Sequence, residues 1–283
     1  MSYADSPTFK DIIKLQILGI GNLDKGTLRR LYPAMSEVEN QLKAELNRFS
    51  SDQFSYQKRR QTLALISASL NKMEKILLDD FQLSAGEYYQ YGLDMGEHEI
   101  QSFNATQAIE TPDINKQAIS LEKNKFILNN AEVSLKTYSA RIRATVSNAL
   151  TQGMLAGRTG YEITSKISKF LDIKRWRLQR IVRTESHKIY NSSKLMAYGE
   201  FQKQHFPDMM KRLFHPMDNR TADDSKQLAE LDPAVPLHKP FVFKYKRGLK
   251  TEVRRFMVPP DRPNDRAALI PFRKQWEEQE NVT

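Results

Sequence analysis

Apolar residues recur at spacings of three and four through most of the first half of the chain, the period of helices that each bury one face. Ser6-Pro7-Thr8 predicts a first short helix carrying Phe9, Ile12, Ile13 and Ile17, interrupted by Gly19, Gly21 and Gly26. A second is expected after Pro33, where Ser36 and Glu39 stand at capping-box spacing and Val38, Leu42, Leu46 and Phe49 line one face. A third, with Leu63, Ile66, Leu70, Met73 and Leu77, follows the short polar connection SSDQFS, which predicts an antiparallel pair. Ser84 and Glu87 repeat the capping-box spacing before YYQYGLDMGEHEIQSF, a helix that Gly92 and Gly96 are expected to weaken. Tyr88, Tyr89 and Tyr91 have the composition of a base-stacking platform, but their amphipathic setting favours packing.

The polar stretch FNATQAIETPD predicts a linker or exposed loop, and Thr111-Pro112 a cap and first position of a long helix reaching about Gly153. Ile114, Ala118, Leu121, Leu128, Leu135, Tyr138, Ile142, Val146 and Ala149 fall close to a 3.5-residue seam, with Lys125 breaking it. A connecting rod, a coiled-coil element and an oligomer contact all fit. Gly153, Gly157 and Gly160 predict a turn, and Thr159 with Glu162 caps a short helix bearing Ile163, Ile167, Phe170 and Leu171. A separate basic helix is expected from Asp172, with an inner stripe of Leu178, Val182, Ile189, Ser193 and Met196. Glu185 falls on that stripe. Burying its carboxylate alone would cost several kcal/mol, so an arginine partner is expected, Arg220 or Arg266.

The period then changes. Arg212 to Met217 predicts a short strand ended by Asp218-Asn219, followed by a loop to Pro240. PFVFKYKRG alternates Phe241, Phe243 and Tyr245 with Val242, Lys244 and Lys246, and Gly248 turns the chain into VRRFMVPP: a hairpin with one aromatic and one basic face. Pro259-Pro260 stops the strand and Pro263-Asn264-Asp265 makes another turn. The expected fold is mainly α with a small α+β C-terminal domain. Its divisions are an N-terminal helical region over 1–110, a long connecting helix over 111–153 and a helix plus β-hairpin domain over 154–283.

Composition narrows the function classes. The chain has 283 residues, 40% of them hydrophobic, enough for a real core. No apolar run reaches the roughly 20 residues a bilayer span needs, and MSYADSPTFKD has neither the basic nor the apolar block of a secretory leader. The absence of cysteine removes disulfides, thiolate metal sites and cysteine nucleophiles. The net charge of +10 is localised: residues 174–274 hold 23 Lys and Arg against 11 Asp and Glu. Such a field attracts nucleic acid or an acidic protein surface. Lys174, Arg175, Arg177 and Arg180 on the basic helix, with Lys244, Lys246, Arg247, Arg254 and Arg255 on the hairpin, are the candidate contacts to DNA phosphates or to an acidic partner.

RTE within a helix, D-x-R-T in a turn, a hairpin and then PP-x-x-PN-x-R resemble, in that order, the phage Mu F-like minor head proteins, also called head morphogenesis proteins. The resemblance covers roughly Leu150 to Phe272. It implies a virion component inside the head at the portal vertex, made in the host cytoplasm and acting in head assembly and in DNA packaging or ejection. Implied partners are the portal protein, with major capsid or scaffolding protein and packaged double-stranded DNA as further candidates and no membrane. Many relatives carry a histidine four residues after the D-x-R-T threonine and a closing HPNCRC. Here Ser225, Arg262, Asp265 and Ala267 stand at those positions, so no metal or other cofactor is expected. Arg183, Glu185, Asp218, Arg220, Asn264 and Arg266 are retained, and read as a buried structural hub rather than a catalytic site.

The alternative is a metal-independent nuclease or transferase built from Glu185 with nearby His and Arg side chains by acid–base chemistry. Against it, Glu185 and His187 stand about 200° apart around a helix, and no P-loop, H-E-x-x-H or G-x-S-x-G stretch occurs.

Overall fold

The computed structural model describes residues 7–47, 56–105, 125–215, 222–231, 234–247, 250–262, 265 and 267–276. Four long helices come first: α1 (Pro7–Asn47), α2 (Tyr56–Ala105), α3 (Lys125–Leu155) and α4 (Gly160–Gln204). A small mixed region follows: β1 (Met210–Phe214), α5 (Asp223–Leu231), β2 (Val235–Pro236), β3 (Phe241–Arg247), β4 (Lys250–Phe256) and β5 (Ala268–Phe272). The protein is therefore mainly α with a small α+β region, as the pattern predicts.

Several expected breaks do not occur. α1 passes unbroken through Gly19, Gly21, Gly26 and Pro33. Pro33 lies on the exposed side, where water can satisfy the carbonyl that loses its amide partner. Ser36 and Glu39 are consequently not a cap; both meet Arg175. Ser84 is likewise inside α2, its hydroxyl bonded back to the Asp80 carbonyl at 2.8 Å while accepting from Arg30. In each case tertiary burial of the continuing stripe outweighs local propensity, which is worth only about 1 kcal/mol at a glycine.

One expected cap does form. Thr159 and Glu162 make the reciprocal box, with the Thr159 amide 2.9 Å from the Glu162 carboxylate and the Glu162 amide 3.3 Å from the Thr159 hydroxyl. The preceding helix ends on Gly157 at φ 63°, with Arg158 N bonded to Gly153 O at 2.9 Å and Gly157 N to Met154 O at 3.2 Å, a Schellman stop. The helix opened by this box is not short. It runs through Asp172 to Gln204, so the basic helix is the second half of α4 rather than a new element. The connection SSDQFS, the start at Thr111-Pro112 with Ile114, Ala118 and Leu121, and the turns at Gly248 and Pro263-Asn264 lie outside the described residues.

Two compact units emerge, both discontinuous in sequence. The helical unit comprises Asp24–Ser84 and Leu128–Arg183. Leu31, Met35 and Val38 of α1, Leu70, Met73 and Leu77 of α2, Leu135, Ile142 and Val146 of α3, and Ile167, Leu171 and Leu178 of α4 fill its core. The buried seam of α3 runs Ala131, Leu135, Tyr138, Ile142, Val146, Leu150, so it drifts with the 3.6-residue helix and ends on Leu150, with Ala149 half-buried.

The mixed unit comprises Met1–Leu23, Ala85–Ile127 and Thr184–Thr283. Here α2 and α4 approach very closely. A Cβ added at Gly92 would stand 2.4 Å from the Tyr190 carbonyl oxygen, and one at Gly96 would stand 2.9 Å from the Ala197 Cβ. The two glycines weaken nothing: they are the contact that lets the helices meet. Tyr88 and Tyr89 are buried and Tyr91 stacks on Tyr190 at 5.5 Å, so the tyrosines pack. β1 is flanked by β2 and β5, both antiparallel, while β3 and β4 form a separate two-stranded ribbon. The segment 222–240, expected to be a loop, contains α5 and β2, and β5 is a strand that the proline-rich motif concealed.

Candidate functional site

Buried charges in the mixed unit lie on α4, α2 and β1. Lys194 falls on the inner face of α4, one turn from Tyr190, Ala197 and Tyr198, and its ammonium is fully buried. It donates to the Glu99 carboxylate at 2.6 Å, to the Leu269 carbonyl at 2.5 Å and to Gln16 at 3.2 Å, a full complement of acceptors for an ammonium. Glu99 also accepts from the Tyr198 hydroxyl and the Gln16 amide. Burial pushes the Glu99 carboxyl up and the Lys194 ammonium down, and each charge opposes the shift of the other. This pair links α1, α2, α4 and β5 at one point.

A turn away, Asn191 performs a second linkage. Its amide donates to the Pro259 carbonyl at 3.1 Å and its oxygen accepts from the Leu269 amide at 3.0 Å, holding the proline-proline motif, whose Pro259–Pro260 bond is cis, and β5 against α4. Lys211 of β1, also inaccessible to solvent, donates to the Met257 carbonyl at 2.8 Å and lies over the Phe241 ring. Burial lowers its ammonium to about 8.

A second cluster joins α5 to the ribbon and the proline-rich segment. Arg254 meets Asp224 at 2.8 Å, Asp261 at 3.1 Å and the Tyr245 hydroxyl at 2.9 Å. Arg262 meets Asp224 at 2.6 Å and the Ser225 hydroxyl at 2.8 Å. Hydrogen bonding from Arg262 holds the Asp224 carboxyl below its usual range. Burial, with Asp265 close by, pushes Asp261 up. His215 is buried beside these groups, and burial lowers its imidazole to about 4. No group of histidines and carboxylates among the described residues could hold a metal ion.

The expected hub is only partly within view. Asp218, Arg220, Asn264 and Arg266 lie outside the described residues. Glu185 is buried on α4, as its stripe requires, with Lys188 at 3.5 Å. Arg183 belongs elsewhere: half exposed, it faces Asp24 at 3.7 Å within the helical unit. Among the described residues, Asn191, Lys194 and Lys211 also join elements of this unit, to Pro259, Leu269 and Met257. Lys194 had the same signal as Glu185, a charge at the i+4 position from Tyr190 in a buried row.

The basic residues also sort themselves. Arg254 is turned inward and neutralised, and Arg175 is bound to Glu39 at 2.9 Å and Asp172 at 2.6 Å, so neither offers its charge to an outside anion. The Lys174 ammonium lies over Phe170, and the Arg180 guanidinium over the exposed Trp176. Arg177 is half-buried. Lys244 and Arg255 are exposed on the outer face of the ribbon. The side chains of Lys246 and Arg247 lie outside the described set.

Comparison with known proteins finds no match: no family model, no curated protein and no solved structure corresponds to this chain.

Proposed function

We propose that this chain is a minor head protein of the phage Mu F-like type, held at the portal vertex inside the head and acting in head assembly and in DNA packaging or ejection. The observation that carries the reading is the ordered set RTE, D-x-R-T, hairpin and PP-x-x-PN-x-R. A spatial relation supports it. Ser225 and Arg262 stand where many members of that family have histidines, 37 residues apart in the chain, and here they are hydrogen-bonded at 2.8 Å. A carboxylate–guanidinium cluster thus occupies the place where those relatives have histidines. Its role is to fasten α5, the ribbon and the proline-rich segment together.

The portal is the main partner, with major capsid or scaffolding protein and packaged duplex DNA as further ones. The virion interior is the site of action, after synthesis in the host cytoplasm. The test is to localise the protein in intact particles of the phage that encodes it, by labelled antibody or asymmetric reconstruction. The expected result is a small number of copies at one vertex. A protein distributed over the inner shell, or missing from purified particles, would overturn the proposal.

A further inference from the structure

The ribbon formed by β3 and β4 has two unlike faces. Phe241, Phe243 and Tyr245 are buried on the inner one, with Phe243 and Tyr245 stacked at 5.6 Å and Phe241 against Phe256 at 5.5 Å. The outer face is open, with Val242 and Val253 each 51% exposed and Met257 40%. Cross-strand register places Val242 opposite Arg255 and Lys244 opposite Val253, so the two cations stand diagonally across the ribbon between two valines.

Charge separates the faces as clearly as polarity. Residues 241–257 contain six Lys and Arg and a single acid, Glu252, and that acid is bonded to the inward Tyr245 hydroxyl. The inward arginine, Arg254, is neutralised by Asp224 and Asp261. Among the described residues no carboxylate lies within ion-pair distance of Lys244 or Arg255. Whatever meets this face must supply negative charge. It also finds no outward aromatic, the anchor on which protein interfaces lean most, because every aromatic of the ribbon is turned inward or across to its neighbour.

We infer that the β3–β4 ribbon is a duplex-DNA contact that lies in the major groove, with Lys244 and Arg255 set against backbone phosphates. Paired strands are about 4.8 Å apart, and with side chains a two-stranded ribbon matches a groove about 12 Å wide. With both cations set against phosphates, the contact draws on backbone charge rather than on base edges and should show little sequence preference. This inference rests on the proposed place of the protein inside a DNA-filled head and identifies the surface that meets the DNA there.

The experiment measures binding of the full chain to an arbitrary 30-base-pair duplex between 50 and 200 mM salt, by fluorescence anisotropy. The variants are Lys244→Glu/Arg255→Glu, the neutral Lys244→Gln/Arg255→Gln, and the charge-matched control Lys166→Glu/Lys169→Glu on the exposed side of α4. Each phosphate contact contributes close to one unit to the slope of log affinity against log salt. Either ribbon variant should therefore flatten the slope by about 2, with unchanged circular dichroism, while the α4 control leaves it within about half a unit. A major-groove dye should compete and a minor-groove ligand should not. Equal losses in ribbon and control variants, or competition only by the minor-groove ligand, would sink the ribbon assignment while leaving general DNA contact standing. No binding at 50 mM salt would remove both. Unaltered DNA binding together with weakened retention on portal protein in the ribbon variants would assign the face to an acidic protein surface instead.

Discussion

The two units solve the problem of a buried interior differently. In the helical unit the core is mainly apolar side chains, and each named ion pair keeps at least one partner partly exposed: Arg143 with Glu74, Arg175 with Glu39 and Asp172, and Arg183 with the buried Asp24. In the mixed unit the interior contains ionised or polar groups that reach across elements: Lys194, Glu99, Asn191, Lys211 and His215. Repeating apolar side chains suffice where helices lie side by side. Where strands must be fixed against a helix, peptide groups at strand ends and in the cis-proline turn need partners, and the buried polar side chains are those partners. Stability in one unit should therefore be graded and tolerant, and in the other concentrated in a few groups.

The largest test breaks the buried pair. Lys194→Met or Glu99→Leu alone leaves an uncompensated charge in the interior and should cost on the order of 3–5 kcal/mol in urea unfolding of the full chain. The double variant should recover much of that loss, since a well-packed apolar pair avoids both desolvation penalties. Additive losses in the double variant would show that the pair does not act as a unit.

Acid provides the next probe. His215 is lowered to about 4, whereas an unfolded histidine titrates near 6.5. Between those values the unfolded chain binds more protons, so stability is complete above about pH 6.5 and is lost as the pH falls towards 4. The loss should reach roughly 3 kcal/mol and should be absent in His215→Phe. Lys211 works in the same direction at higher pH: its ammonium is lowered to about 8, so stability should rise from pH 8 towards the unfolded value near 10.4. Lys211→Met should flatten that rise, leaving the part contributed by the buried Lys194, whose ammonium is also lowered.

Smaller effects sharpen the contrast. Gly92→Ala pushes a methyl group against the backbone of α4 and should cost about 1–3 kcal/mol, whereas Gly21→Ala, with open space at its Cβ, should be neutral or slightly stabilising by helix propensity. At the bottom of the scale, Arg143→Ala in the helical unit removes a partly exposed pair and should change stability by less than about 1 kcal/mol. A loss as large as that of Lys194→Met would erase the distinction between the units.

Much of the architecture is legible in the sequence because it depends on local period. The stripes of α2 and α3, the Thr159–Glu162 cap, the two-faced hairpin and the burial of Glu185 each follow from side chains a few residues apart. The breaks expected at Pro33, Ser84 and Asp172 are also local signals, and here they mislead: a cap is worth about 1 kcal/mol and a proline inside a helix costs about 3 kcal/mol, less than the burial of a stripe continuing on both sides. The basic residues illustrate the same limit. Sequence places Arg254 and Arg255 side by side, and strand alternation turns one inward to Asp224 and Asp261 and leaves the other outside.

Sequence by itself determined the helical period, the concentration of positive charge after residue 174, the hairpin and the motif order on which the proposed function rests. Tertiary structure alone decided that the helices run on through Pro33, Ser84 and Asp172, that Gly92 and Gly96 are contacts rather than weak points, and that Lys194 is matched by Glu99, 95 residues away in the chain. The physical reason is range. Propensity and period act over one or two turns, whereas the partner of a buried charge, and the helix that fills the space beside a glycine, are supplied by residues whose proximity exists only after folding.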